Sequence, residues 1–248
     1  MNLVVCAIFK NEAPYLREWI KFHELLGAEK FFLFDNESTD NWLPQIQDLI
    51  ESGLVEVEYV AGDAMQLPVY ENFLNYARDL AEPIKWVAFI DIDEYLYAPD
   101  GRIIPEVLES HSDCAVIEAD WLMFGSSGHK ERPEGLTIDA YTLRENAFDK
   151  HHKSIVRASL ISKFADPHTV ITNLDKANAK NELVINHYWS RSEEECLAKF
   201  LRGRVDLQKD HPAWEREWSE YTVVAEKFSA VQDDTIKNLW SAKLKDSL

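Results

Sequence analysis

Cysteine is scarce in this chain: Cys6, Cys114 and Cys196 are the only three among 248 residues. Their odd number and wide spacing argue against a disulfide framework and against a C-x-x-C zinc site. Basic residues are also few, 26 against 44 acidic ones, for a formal charge of -18. That excludes binding to nucleic acid or anionic lipid through the overall field, although a local basic pocket for a phosphate stays open. No apolar run is long enough to span a bilayer. The opening residues MNLVVCAIFKNEAPYL lack a positively charged leader region and read as a first strand rather than a signal peptide. There is no repeat, low-complexity segment or linker. A reducing cytoplasm is the expected compartment, and docking at the inner face of a membrane stays compatible with it.

What is present is a core and a regular alternation. Hydrophobic residues make up 46% of the chain, enough for one large domain. Leu3–Phe9, Lys30–Asp35, Val55–Val60 and the run KWVAFID read as four buried strands. Three amphipathic segments separate them. Leu16, Trp19, Ile20, His23 and Leu26 fall at helical spacing and Gly27 suits the helix end. His23 on that face reads as packing. The segment WLPQIQDLIESG reads as a second helix, with Ser38, Thr39 or Asp40 as its cap, and PVYENFLNYARDLAE as a third. This alternation predicts a doubly wound, mostly parallel α/β sheet, whose ligands bind at the carboxyl ends of the strands. Lys10, Asn11, Asp35 and Asp91 all lie at such ends and should converge on one cleft. Further strands are expected at CAVIEADWLMFG, HHKSIVRASLI and ELVINHYWS, then a helix at SEEECLAKFLRGR and a helical tail from Pro212. The tail's aromatic and aliphatic residues fall at helical spacing and should pack on the main domain.

The segment WVAFIDIDEYLY joins a buried strand to Asp91, Asp93 and Glu94. Uncompensated carboxylates at such a place repel one another and lose water. If the strand continues, Asp91 and Asp93 share a face and Glu94 points away. A hard divalent cation, Mg²⁺ or Mn²⁺, would offset the repulsion, with one or two carboxylates and substrate phosphates as ligands.

Three stretches together resemble bacterial glycosyltransferases of the family 2 and family 92 type. They are VVCAIFKNEAPYLREWIKFHELLGAEKFFLFDNESTDN, WVAFIDIDEYLY and INHYWSRSEEECLAKFLRGR, in that order. The resemblance implies a GT-A fold, with a Rossmann-like nucleotide-binding half and a helical C-terminal extension. One domain is expected over 1–248. Its nucleotide-sugar half would be 1–100, its acceptor half 101–205 and its extension 206–248. The implied activity is metal-dependent transfer of a sugar, with inversion, from a nucleotide-sugar donor such as a UDP-sugar. The acceptor would be a glycan, a lipid-linked sugar or another hydroxyl, as in polysaccharide biosynthesis.

The resemblance also implies roles for residues. Asp91, Asp93 and His187 would hold the metal, with Asp93 in direct contact and Asp91 on the donor ribose or a metal-bound water. His168 is a rival to His187. Lys10, Asn11, Glu12, Asp35 and Arg191 would bind the donor. Inversion needs a base on the acceptor side. Read from the residues themselves, Glu118, Asp120, His129, Glu131 and Glu134 are the candidates, with Asp120 first because Trp121 beside it offers a ring for a sugar to stack on, and Glu118 on the same strand face. His129 and Lys153 complete the acceptor side. Two other readings compete. One is a binding module for nucleotide sugars without turnover. The other is a phosphohydrolase using the D-x-D as nucleophile and acid.

Overall fold

The computed structural model describes residues 1–202, 225 and 227–248. The four expected strands form as β1 (Leu3–Phe9), β2 (Lys30–Asp35), β3 (Val55–Tyr59) and β4 (Trp86–Phe89). Between them run α1 (Ala13–Leu25), α2 (Leu43–Glu51) and α3 (Gln66–Asp79). These four strands are parallel in the order β3-β2-β1-β4, with Phe9 opposite Asp35 and Cys6 opposite Phe89. Their carboxyl ends therefore share one edge of the sheet, as the alternation predicts.

The second half extends the same sheet. It comprises β5 (Glu94–Tyr97), α4 (Ile104–Ser110), β6 (Val116–Met123), α5 (Thr137–Ala140), β7 (Leu143–Arg144) and β8 (His152–Arg157). Then follow β9 (Lys176–Asn178), β10 (Val184–His187), α6 (Glu193–Arg202), β11 (Val231–Gln232) and α7 (Thr235–Ser247). The nine-stranded sheet runs β3-β2-β1-β4-β8-β6-β10-β5, with β9 also on β6. β8 is antiparallel to both β4 and β6, and β5 is antiparallel to β10. A parallel half thus continues into a mixed half, the arrangement the GT-A expectation asks for. Of the expected helical tail, α7 is described, and residues 203–224 and 226 lie outside the described residues.

Apolar side chains fill both faces. One layer joins Leu16, Trp19, Phe31, Trp86, Tyr95 and, from α7, Trp240. The other joins Val69, Tyr70 and Phe73 of α3 to Phe89 and Val156. At the end of α1, Gly27 has a φ of +98°, and a Cβ there would lie 2.7 Å from Pro105 Cδ. Only glycine meets both demands.

α1 does more than cover the sheet. Its Trp19 Nε1 donates to the Glu94 carbonyl at 2.8 Å, and the Leu96 N–H donates to His23 Nε2 at 3.1 Å. Helix α1 therefore holds β5, which starts at the last acid of the D-x-D segment.

Candidate active site

The loops leaving β1 and β2 are tied to each other. Asn11, with a φ of +59°, accepts the Thr39 N–H at 2.7 Å and the Asp40 N–H at 3.3 Å through Oδ1. Its own N–H donates to Ser38 Oγ at 2.9 Å. Asp35 accepts the Ser38 N–H at 2.9 Å and Trp42 Nε1 at 3.2 Å, so its carboxylate organises an Asx turn at the rim. Asp40 accepts the Ala13 N–H at 2.8 Å. It therefore serves the start of α1. The N-cap of α2 is Trp42, with no side-chain cap. The capping expected from the sequence is corrected because Asp40 is taken up by the Ala13 N–H at the start of α1. Lys10 and Glu12 flank Asn11, and Glu12 Oε2 accepts Arg191 Nη1 at 2.6 Å.

The D-x-D lies on a turn. β4 stops at Phe89, and the Glu94 N–H donates to the Asp91 carbonyl at 3.0 Å. A continuing strand would alternate the three acids through the core. The turn instead brings Glu94 back, so that its Oε2 accepts the Asp91 N–H at 2.9 Å. This corrects the expectation of an extended segment with Glu94 pointing away.

Cations from distant elements neutralise these acids. Lys153 on β8, fully buried, places Nζ 2.8 Å from Asp91 Oδ2 and 3.6 Å from Glu94 Oε2. Burial opposes its charge, but Asp91 and Glu94 hold the ammonium above its ordinary range. Gln66 Nε2 on α3 donates to the other Asp91 oxygen at 2.8 Å. Lys199 on α6 donates to Asp93 Oδ2 at 2.8 Å and to the Trp189 carbonyl at 3.0 Å. Burial pushes Asp93 up, yet Lys199, His187 and Arg191 hold it well below the usual carboxylate range. Glu94, fully buried, is pushed well up by burial and by the neighbouring aspartates.

His187 ends β10, opposite Glu94. Its Nε2 lies 3.5 Å from Asp93 Oδ1, and its Nδ1 lies 4.0 Å from Glu94 Oε1. Nδ1 and that Glu94 oxygen are both buried without a hydrogen-bond partner among the described residues. Burial pushes His187 down, against the pull of Asp93. For a cation to bind here, the ring proton would move to Nδ1, so that the Nε2 lone pair and Asp93 Oδ1 are presented together as a donor pair. Oxygen and imidazole donors suit Mn²⁺. Among the described residues, no group of three or more His, Cys, Asp or Glu side chains could hold a metal ion. Two protein ligands with substrate phosphates are a common solution for a hard cation.

Arg191 stands beside this pair. It is held above its ordinary range by Glu12 and Tyr15 despite burial, its guanidinium lies 3.5 Å from the Tyr15 ring centroid, and its Nε has no hydrogen-bond partner among the described residues. Tyr15 in turn bonds Glu195, which also accepts Tyr141 Oη at 3.2 Å and Ser192 Oγ at 2.7 Å.

The acceptor-side expectations divide. Trp121 joins the site: its ring centroid lies 4.3 Å from His187, 4.9 Å from His168 and 5.3 Å from His151. At 8% exposure it is a spacer between histidines rather than an open stacking surface. Asp120, next on the strand, projects to the opposite face and accepts Asn178 Nδ2 at 2.8 Å. Glu118 sits 3.6 Å from both His152 Nε2 and Lys176 Nζ. His129 Nε2 lies 3.1 Å from the Ala140 carbonyl and anchors its loop to α5. Lys153 is at the D-x-D rather than at an open acceptor surface. His168 meets Trp121 and, pushed down to about 4 by burial, is no partner of Asp93 in the described contacts.

Sequence reasoning missed the roles of Lys153 and Lys199 as counterions, of Gln66, and of Asp149 beside His151. A signal existed for two of them. Lys153 falls inside a strand otherwise buried, and Lys199 follows Cys196 by one helical turn, next to buried Phe200.

The family profile described as Glycosyltransferase family 92 matches residues 1–243. A glycosyltransferase family 92 protein of Ricinus communis is 31% identical over 225 residues, 84% of this chain and 40% of the relative. One of Oryza sativa subsp. japonica is 30% identical over 213 residues, 82% of this chain and 36% of the relative. The chain thus spans about two fifths or less of the length of these relatives. A solved structure, S. aureus TarS 1-349 in complex with UDP, is similar at 17% identity and a TM-score of 0.42, covering 64% of this chain and 47% of that one. Nothing about this chain's own ligands follows from that likeness.

Proposed function

The chain belongs to glycosyltransferase family 92, and we propose that it transfers a sugar from a nucleotide-sugar donor, a UDP-sugar, to a glycan or other hydroxyl acceptor with inversion. The observation that carries this reading is the pairing of Asp93 Oδ1 with His187 Nε2 at the carboxyl edge of the parallel strands. Those two atoms would hold Mn²⁺ or Mg²⁺. The bound cation would stabilise the negative charge that develops on the leaving diphosphate.

The chain's own residues supply the rest. Arg191, whose Nε has no partner among the described residues, and Lys199 set positive charge beside Asp93 for the diphosphate. In a protein of this net charge, such a local field is what admits a polyanion. Asp91, braced by Lys153 and Gln66, takes the donor ribose or a metal-bound water. Lys10, Asn11, Glu12 and Asp35 border the base and ribose; the Asn11 cross-links fix the shape of that rim. Inversion further requires a base to take the acceptor proton during in-line attack. Asp120 and Glu118 are the first candidates from sequence. A phosphohydrolase is disfavoured because Asp91, its nucleophile, is ion-paired to the buried Lys153 ammonium, which lowers its nucleophilicity.

The test combines binding and turnover. UDP with Mn²⁺ is titrated into wild type and Asp93→Asn by calorimetry, and UDP release is screened over common UDP-sugars with Mn²⁺, Mg²⁺ or EDTA. The expected result is binding and release that need the cation and are lost in the variant. Full activity in EDTA, or in Asp93→Asn, refutes the reading. Metal-dependent UDP binding with no turnover on any acceptor would leave a binding module instead.

A further inference from the structure

We propose that His151, oriented by Asp149, is the general base that deprotonates the acceptor hydroxyl. This rests on the glycosyltransferase reading and deepens it. His151 Nδ1 lies 2.5 Å from Asp149 Oδ1, and the same oxygen accepts the His151 backbone N–H at 3.0 Å. The carboxylate therefore fixes both the ring and its backbone. With Nδ1–H engaged, Nε2 is left as the acceptor nitrogen, the arrangement a general base needs. Nε2 has no hydrogen bond among the described residues, and the side chain is 44% exposed. This imidazole is accessible, unlike that of His187.

The dyad is also held at a definite place. The Asp149 N–H donates to the Trp121 carbonyl at 2.9 Å, and the Trp121 N–H donates to the His151 carbonyl at 3.2 Å. The loop before β8 is thus pinned to β6 at Trp121. The Trp121 ring then meets His151 at 5.3 Å and His187 at 4.3 Å between centroids. One rigid indole sets the spacing from the cation-binding pair to the dyad. An acceptor hydroxyl entering beside Trp121 would have the donor on one side and Nε2 on the other. The β6 acids do not share this position: Asp120 is bonded to Asn178, and Glu118 faces His152 and Lys176.

In the step itself, the acceptor O–H proton passes to His151 Nε2 as that oxygen bonds to the anomeric carbon. The bond from that carbon to the diphosphate breaks, and its electron pair leaves with UDP. The imidazolium then returns its proton to water. Among the described residues, the charged and titratable groups facing the dyad are His168, at 5.6 Å between its ring centroid and that of His151, and Lys227, 3.8 Å from Asp149 Oδ2 and 2.7 Å from Glu145 Oε2. Lys153, two residues along β8, faces the D-x-D. Asp149 is a positioning residue. Burial raises its carboxyl, but the His151 contacts and Lys227 hold it below the ordinary range.

The experiment measures UDP release from the active UDP-sugar in wild type, His151→Gln, Asp149→Asn and Asp120→Asn, with calorimetric binding of UDP and Mn²⁺ alongside. Thermal melting confirms folding. His151→Gln should lower kcat by about 10²–10³-fold while UDP affinity stays within about twofold. Asp149→Asn should lower kcat less and move the acid limb of the kcat–pH profile to lower pH, which a merely structural role would not do. Imidazole should restore part of the turnover of His151→Ala. Wild-type turnover retained in His151→Gln, or lost only in Asp120→Asn, overturns the assignment of the base alone. No turnover in wild type with any UDP-sugar overturns the glycosyltransferase reading, and this inference with it.

Discussion

His23 makes the fold acid-sensitive at a place that matters for the site. It is fully buried on α1, with Nδ1 donating to the Trp19 carbonyl at 2.9 Å and Nε2 accepting the Leu96 N–H at 3.1 Å. These partners fix the neutral tautomer, because a second ring proton would face an N–H. Burial pushes the group down to about 3. In the unfolded chain it titrates near 6.5. The folded value is the lower one, so its contribution is complete above about pH 6.5. It is then lost as the pH falls toward 3. The slope is about 1.4 kcal/mol per pH unit between the two values, which gives a loss of about 2 kcal/mol by pH 5 and about 4 kcal/mol by pH 3. The assay is urea unfolding followed by tryptophan fluorescence at pH 7 and pH 5, in wild type and in His23→Gln. Glutamine offers a donor and an acceptor but does not titrate. The variant should lose about 2 kcal/mol less than wild type between the two pH values. Equal losses would refute the argument. Because His23 and Trp19 both hold β5, loosening this contact should also weaken UDP binding at acid pH before global unfolding.

Two other substitutions probe the packing. Lys153→Met leaves Glu94 and Asp91 beside a fully buried site without their cation, and should cost about 3–5 kcal/mol. Adding Glu94→Gln should recover part of the loss. Glu94 already binds its proton more tightly when folded, so the single variant's deficit should shrink as the pH falls. Thermal melts across pH 5–8 check this, and an unchanged Tm refutes it. Gly125→Ala would put a Cβ 2.8 Å from the Phe228 carbonyl oxygen, a backbone atom, and should cost about 1–3 kcal/mol in a melt without altering the metal dependence of UDP binding.

Much of this protein is legible along the chain. The four parallel strands fall where apolar runs end in polar turns, as with Leu3–Phe9 and Lys30–Asp35. These signals are local: side-chain period, capping and chain length act within a few residues. The motif order likewise names Asp93, His187 and Arg191 as candidates, and the fold brings these three side chains together. The local reading failed where the backbone left its element. Asp91 to Glu94 looked like a strand and is a turn, because buried acids are tolerated only where a donor reaches them. Asp120 and Trp121 looked like a pair because they are neighbours, yet successive strand residues face opposite ways.

What the sequence determined by itself is the parallel half, the edge where its loops meet, and the carboxylates standing there. Their neutralisation was decided only by the tertiary structure. Lys153 lies 62 residues from Asp91, and Lys199 lies 106 from Asp93. The physical reason is that a charge interacts through space: no periodicity in one segment reports which cation another segment will bring within 3 Å. The same holds for Asp149 and His151, two polar loop residues that gain meaning only because Trp121 holds them beside His187.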